Sequence, residues 1–177
     1  SDLDIKYYAT MEKKGRAVAG NIGLSMAKGD YFNFLDDDDI FYPNHAEVLL
    51  NALRESGMKA AYSIAEESRF KQISSEPYVI REKRKFVRYK QEYNKLLLFA
   101  FNYIPIQSIM FSRELYDQMG GFDPKLCLLE DWDLWVRYSV RVDFKFVPEI
   151  TSKYFVEYKS RKKMERNRAL EHALEPL

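Results

Sequence analysis

An α/β fold, with a mixed, mostly parallel sheet flanked by helices, is predicted by three features of the chain. Strand and helix patterns alternate through the first half, as a sheet with crossover helices requires. An aromatic run, Tyr31-Phe32-Asn33-Phe34-Leu35, ends directly in four aspartates. With 46% hydrophobic and 31% charged residues, 177 positions suit a single buried core.

The elements follow in order. Ile5 to Ala9 is a short strand candidate. Arg16 to Ala27 reads as a helix, with Ala17, Ile22, Leu24 and Met26 on one face and Lys28-Gly29 as its stop. Tyr31 to Leu35 is expected as a strand buried on both faces. Pro43 suits a first helical turn, and Val48, Leu49, Ala52 and Leu53 supply a helical face up to Gly57. Ala60 to Ala65 is a strand, and residues 66–93, rich in Arg and Lys, read as strand fragments and loop. A helix is expected over 96–101, a strand over 104–111, a short helix over 113–119 and a turn at Gly120-Gly121. Trp132 to Val140 is a helix with Trp132, Trp135, Val136 and Ser139 on one side. Strands at 144–147 and 152–158 close the sheet, and a charged helix runs from Arg161 to the end.

Composition excludes some classes. A net charge of +1 gives no general attraction to nucleic acid. The longest apolar run, Leu96 to Phe101, is far below the roughly 18 residues that span a bilayer. Cys127 is alone, so no internal disulfide forms, and a reducing, cytoplasmic compartment is expected. The 13 Tyr and 12 Phe serve equally for stacking flat ligands or for filling a core. His45 and His172 lack metal-ligand spacing and read as surface residues. The basic residues between Lys159 and Arg168 are interrupted by Glu165 and read as a solvated face, with a peripheral contact at a cytoplasmic membrane face as the other reading.

Two acidic groups carry the chemistry. Asp36-Asp37-Asp38-Asp39 follows a buried strand, and ligands bind at the carboxyl ends of strands in such sheets. Packed carboxylates repel unless a cation intervenes, and Mg2+ or Mn2+ suits oxygen ligands beside a phosphate. Strand alternation puts Asp36 and Asp38 on one side, with Asp37 facing away; Asp39 is also a candidate helix cap. Glu130-Asp131 opens the helix at Trp132, where Asp131 serves as N-cap or as a general base. The preceding Gly120-Gly121 allows a tight turn or a close approach to a ligand.

Taken in order, Gly15-Arg16-Ala17-Val18-Ala19-Gly20-Asn21, Ala27-Lys28-Gly29-Asp30, Phe34-Leu35-Asp36-Asp37-Asp38-Asp39, Gly120-Gly121-Phe122-Asp123 and Glu130-Asp131-Trp132-Asp133 resemble the inverting, GT-A-fold glycosyltransferases of family 2. The resemblance implies a DxD motif in Asp36-Asp37-Asp38, with Asp38 and Asp36 at the metal and with these three and Asn21 on the donor side. It implies Asp131 as catalytic base and Gly120, Gly121, Phe122, Glu130 and Trp132 on the acceptor side. The expected ligands are a divalent metal, a nucleotide-sugar of UDP type, and a saccharide or lipid-linked acceptor. One position departs from the family: Gly20 stands where an Arg usually precedes the Asn. The pattern also enters just before the family's third strand, so the chain reads as one partial domain. Residues 1–57 form the donor side, 58–158 the acceptor side and 159–177 the terminal helix. A sheet without its first strands offers an open edge for a homodimer. An inactive interaction module of the same fold, or a metal-dependent nucleotidyltransferase, fits parts of the pattern. The second leaves the spacing from Gly120 to Trp132 unexplained.

Overall fold

The computed structural model describes residues 4–75 and 78–158. Its elements are α1 (Arg16–Met26), β1 (Tyr31–Asn33), β2 (Ile40–Phe41), α2 (His45–Ser56), β3 (Ala60–Ser75), β4 (Tyr78–Val87), α3 (Lys95–Ala100), a 3-10 turn (Ile106–Ser108), β5 (Ile109–Ser112), α4 (Arg113–Met119), α5 (Glu130–Arg141) and β6 (Lys145–Glu157). They build a six-stranded sheet in the order β1-β5-β3-β6-β2, with β4 also on β3. The α/β class and the mixed sheet are as expected. Pair by pair, however, only β3 and β6 run parallel, and the other four pairings are antiparallel. β5 lies reversed between β1 and β3, and the two residues between β3 and β4 are too few for a crossover.

Where propensity and punctuation agree, the elements fall as expected. Gly57 closes α2 in the left-handed region (φ 68°), its N–H bonding the Leu53 carbonyl. Five other expectations are corrected. Ile5 and Tyr7 are 82% and 88% exposed and form no strand, because no neighbour among the described residues offers a ladder. β1 stops at Asn33, and Leu35 is 48% exposed, so this is an edge strand and not one buried on both faces. The basic stretch after Ala65 is a continuous hairpin, since charged residues tolerate a ribbon with solvent on its faces. Its closing partner β6 is one strand, and Pro148 sits where the pairing with β3 shifts register. The strand expected from Ile104 begins only at Ile109, after the 3-10 turn. The charged helix expected over 159–177 lies outside the described residues.

The core has two parts. On one face of the sheet Phe32, Tyr62, Phe111, Phe122, Trp135 and Tyr138 pack with Leu24, Leu98 and Leu115. Phe111 is central, with ring centroids 5.2 Å from Tyr138, 5.5 Å from Phe32 and 6.0 Å from Trp135. Much of the aromatic content therefore fills the interior, where such rings bury large areas. On the other face Leu49 and Leu53 of α2 cover Ala61, Met110 and Val147.

His45 is not a surface residue. It is 1% exposed and stacks on Phe41 at 3.9 Å. The Asn33 amide nitrogen donates to the Ile109 carbonyl, so Asn33 Oδ1 must accept from His45 Nε2–H at 2.8 Å. Nδ1 then accepts from the Thr151 hydroxyl at 2.7 Å, and Thr151 Oγ1 lies 2.6 Å from Ser63 Oγ. This chain of bonds links β1, α2, β6 and β3. Burial pushes the imidazole down to about 4. As pH falls from about 6.5 toward 4 the unfolded chain takes up a proton that the native one refuses. Up to about 3 kcal/mol of stability is lost across that window. Asp39, pushed up to about 7 chiefly by burial, has the opposite sign, contributing stability that is lost as pH rises toward 7. In an Asp39→Asn background, denaturation at pH 7 and pH 4 should expose the His45 loss, and proton NMR should find the ring neutral down to about pH 4. A ring titrating near 6.5 removes this account.

Candidate active site

The acidic turn leaves the carboxyl end of β1. Phe34 anchors its start, packing on Phe122 at 5.1 Å and Phe111 at 6.2 Å. The Asp39 N–H closes the turn onto the Asp36 carbonyl at 3.1 Å. Carboxylate oxygens of Asp36, Asp38 and Asp39 lie within 4.8 Å of one another, while Asp37 is exposed and outside the group. Asp39 is thus drawn into the cluster and caps no helix; Asn44 occupies the N-cap of α2, and Asp39 Oδ1 accepts from the Phe155 N–H at 3.3 Å. Its carboxyl is pushed up first by burial and then by Asp38, with Asp36 adding to the effect. A cation seated among the three carboxyls would relieve their repulsion. Three hard oxygen donors that leave further positions open fit Mg2+ or Mn2+.

Glu130 and Asp131 begin α5 two residues earlier than the pattern predicts. Leu129, the residue before them, holds φ 62°, a conformation that a branched side chain adopts only at a cost. Leu129 itself stands at the N-cap, so Asp131 is in the first turn and not at the cap. Its Oδ1 accepts from the Trp132 N–H at 2.8 Å and its Oδ2 from Asn102 Nδ2 at 3.1 Å. Burial raises the Asp131 carboxyl above the usual range, and the neighbouring Glu130 adds to this. Glu130 is buried, its side chain 5% exposed, and bound to Arg16 Nε at 3.2 Å.

Arg16 joins the two acidic groups. The same guanidinium that holds Glu130 places Nη2 3.4 Å from Asp36 Oδ2. The aspartate turn and the Glu130-Asp131 pair therefore face one another across a single side chain. Sequence reasoning gave Arg16 no role. A signal was present, since a cation in the first turn of a helix opposes the helix dipole and implies a partner elsewhere.

The glycine turn is fixed by contacts that periodicity does not reveal. Asn21 Nδ2 donates to the Phe122 carbonyl and Asn21 Oδ1 accepts from the Phe122 N–H, both at 2.8 Å, so its amide clamps α1 to the turn. A Cβ at Gly121 would fall 2.2 Å from Asn21 Oδ1, and one at Gly20 would fall 2.5 Å from the Phe122 ring. The absent arginine at position 20 thus coincides with close helix-to-turn packing. Arg137 Nη2 donates to the Gly121 carbonyl at 2.7 Å and the Tyr138 hydroxyl to the Gly120 carbonyl at 2.8 Å, so α5 holds the turn from the other side. Phe122 is 5% exposed. The Trp132 indole N–H is committed to the Leu98 carbonyl at 2.6 Å, leaving the ring half-buried against the core.

A mixed sheet with an acidic turn at one strand end, faced by a buried carboxylate pair at a helix start, defines the GT-A class of transferase domain. Residues 1–120 match the family described as Glycosyl transferase family 2, and the chain belongs to that family. It is 30% identical over 147 residues to the uncharacterized glycosyltransferase YwdF of Bacillus subtilis, covering 83% of this chain and 53% of that one. A Rickettsia typhi uncharacterized glycosyltransferase is 29% identical over 150 residues, 84% of this chain and 43% of its own length. The chain thus spans about half the length of these relatives. The crystal structure of S. aureus TarS 1-349 shares the fold, with TM-score 0.57 and 13% identity over 80% of this chain and 40% of that one.

Proposed function

We propose that the protein of which this chain is part transfers a sugar, with inversion, from a nucleotide-sugar donor of UDP type to a hydroxyl of a saccharide or lipid-linked acceptor. The observation that carries this reading is the Arg16 bridge, which puts the aspartate turn and the Glu130-Asp131 pair in one site. Asp36 and Asp38, with Asp39 beside them, would hold the divalent metal, which when bound supplies positive charge to the donor diphosphate. Asp131 is the base in this reading. Both of its oxygens keep a lone pair beyond their present bonds, and burial makes it more basic than an ordinary carboxylate. Glu130 is already paired with Arg16 and orients that cation. Asn21 and the Gly120-Gly121 turn hold the wall between the two halves. Among the described residues no helix is long and apolar enough to cross a membrane. Cys127 is free, in keeping with a cytoplasmic setting. The outer edge of β1 has no strand partner among the described residues, and a homodimer formed there is the assembly this reading favours. Calorimetric titration of the full-length protein with UDP, with and without Mn2+, should show binding only when the metal is present. No heat with either would sink the proposal.

A further inference from the structure

We propose that the β3–β4 ribbon is a docking element for an anionic lipid surface. The pairing of β3 with β6 ends at Phe70 and Glu157, and beyond it Lys71 to Ser75 pair only with β4. A two-stranded ribbon therefore projects past the sheet. On that projecting part Lys71 and Arg81 are exposed, Lys83 and Arg84 are exposed on the adjoining part of β4, and Lys90 is exposed just past its end; none of the five has an ion-pair partner among the described residues. The described acids of β3 and β4 serve other cations: Glu67 binds Arg69 and Arg88, and Glu66 and Glu82 bind Lys85 and Lys153. Lys71 and Arg81 stand directly opposite one another, an arrangement that destabilises a ladder unless an outside anion relieves it.

Apolar side chains are interleaved with these cations. Ile73 is 49% exposed, Val79 43% and Ile80 39%. Cations flanking exposed aliphatic groups suit the boundary between headgroups and acyl chains, where charge attracts and apolar surface enters by roughly 5–10 Å. A free anion needs no aliphatic neighbours. Single-stranded nucleic acid is bound on open aromatic faces, whereas the Phe86 ring lies under the guanidinium groups of Arg69, Arg84 and Arg88 at 5.1, 5.2 and 5.6 Å. Two copies of the ribbon would meet with like charge. At its base Arg88 lies over Tyr89, Tyr89 packs on Phe101, and the adjacent Asn102 binds Asp131, so the ribbon is tied to the acceptor-side loop. The inference stands on the ribbon alone and survives failure of the transferase reading.

Co-sedimentation of the full-length protein with vesicles tests it. Phosphatidylcholine vesicles should not bind, whereas vesicles carrying roughly three-tenths phosphatidylglycerol should bind and release the protein as salt rises. Lys71→Glu with Arg81→Glu and Lys83→Glu should weaken binding at least about tenfold. Lys83 lies where the β3–β4 register skips, so Lys83→Glu alone leaves the ladder intact and should weaken binding several-fold. Wild-type binding by a Lys83→Glu protein, equal binding to both vesicles, displacement by millimolar inorganic phosphate, or tighter binding to single-stranded RNA than to the anionic vesicles each overturns the proposal.

Discussion

Asp131→Asn in the full-length protein is expected to lower kcat by about 10²–10⁴ while leaving metal-dependent UDP binding within a factor of about two of wild type. Asparagine keeps the shape and its one oxygen can still accept from the Trp132 N–H, so the helix start should survive, while the bond from Asn102 to the second oxygen is given up. What it loses is the ability to hold a proton. Because burial raises the Asp131 carboxyl, the acid limb of the wild-type pH–rate profile should lie above the pH near 4 of an ordinary aspartate. The base must be ionised to act, so activity falls as pH drops through that raised value. A variant with normal turnover, or one whose loss appears only in KM, removes Asp131 from the chemistry.

The second large effect belongs to Asp38. Asp38→Ala should abolish the Mn2+-dependent part of UDP binding, a loss of about 100-fold or more if one of few hard ligands is removed. Asp38 is exposed, and no hydrogen bond or ion pair ties it to the rest of the described chain, so the melting temperature should stay near that of wild type. Asp37→Ala, outside the cluster, is the internal control and should bind as wild type does. Equal loss in both variants would mean that the turn acts as a diffuse acidic patch and not as a site.

Much of this site was legible from residue order. The aspartates follow an aromatic run, and the Gly120-Gly121 turn precedes Glu130-Asp131, because these pieces are local and each carries its own signal. Helices α1 and α2 were legible for the same reason, bounded as they are by Gly15 and Gly57. Two residues were misread or missed. His45 looks solvated from its neighbours in sequence, yet its partners are Asn33 and Thr151, the latter 106 positions away. Arg16 meets Asp36 twenty residues on and Glu130 in another half of the chain. The bonds of the Asn21 amide to Phe122, 101 positions on, were likewise not legible.

The sequence by itself determined the local pieces: which stretches coil or extend, where the turns fall, and where acid is concentrated. Those follow from side-chain periodicity and backbone restrictions acting over a few residues. Only the tertiary structure decided strand direction, the depth of His45, and the meeting of two acidic groups across one guanidinium. Each of those depends on contacts between residues distant in the chain, which burial and charge pairing select only after the sheet has closed.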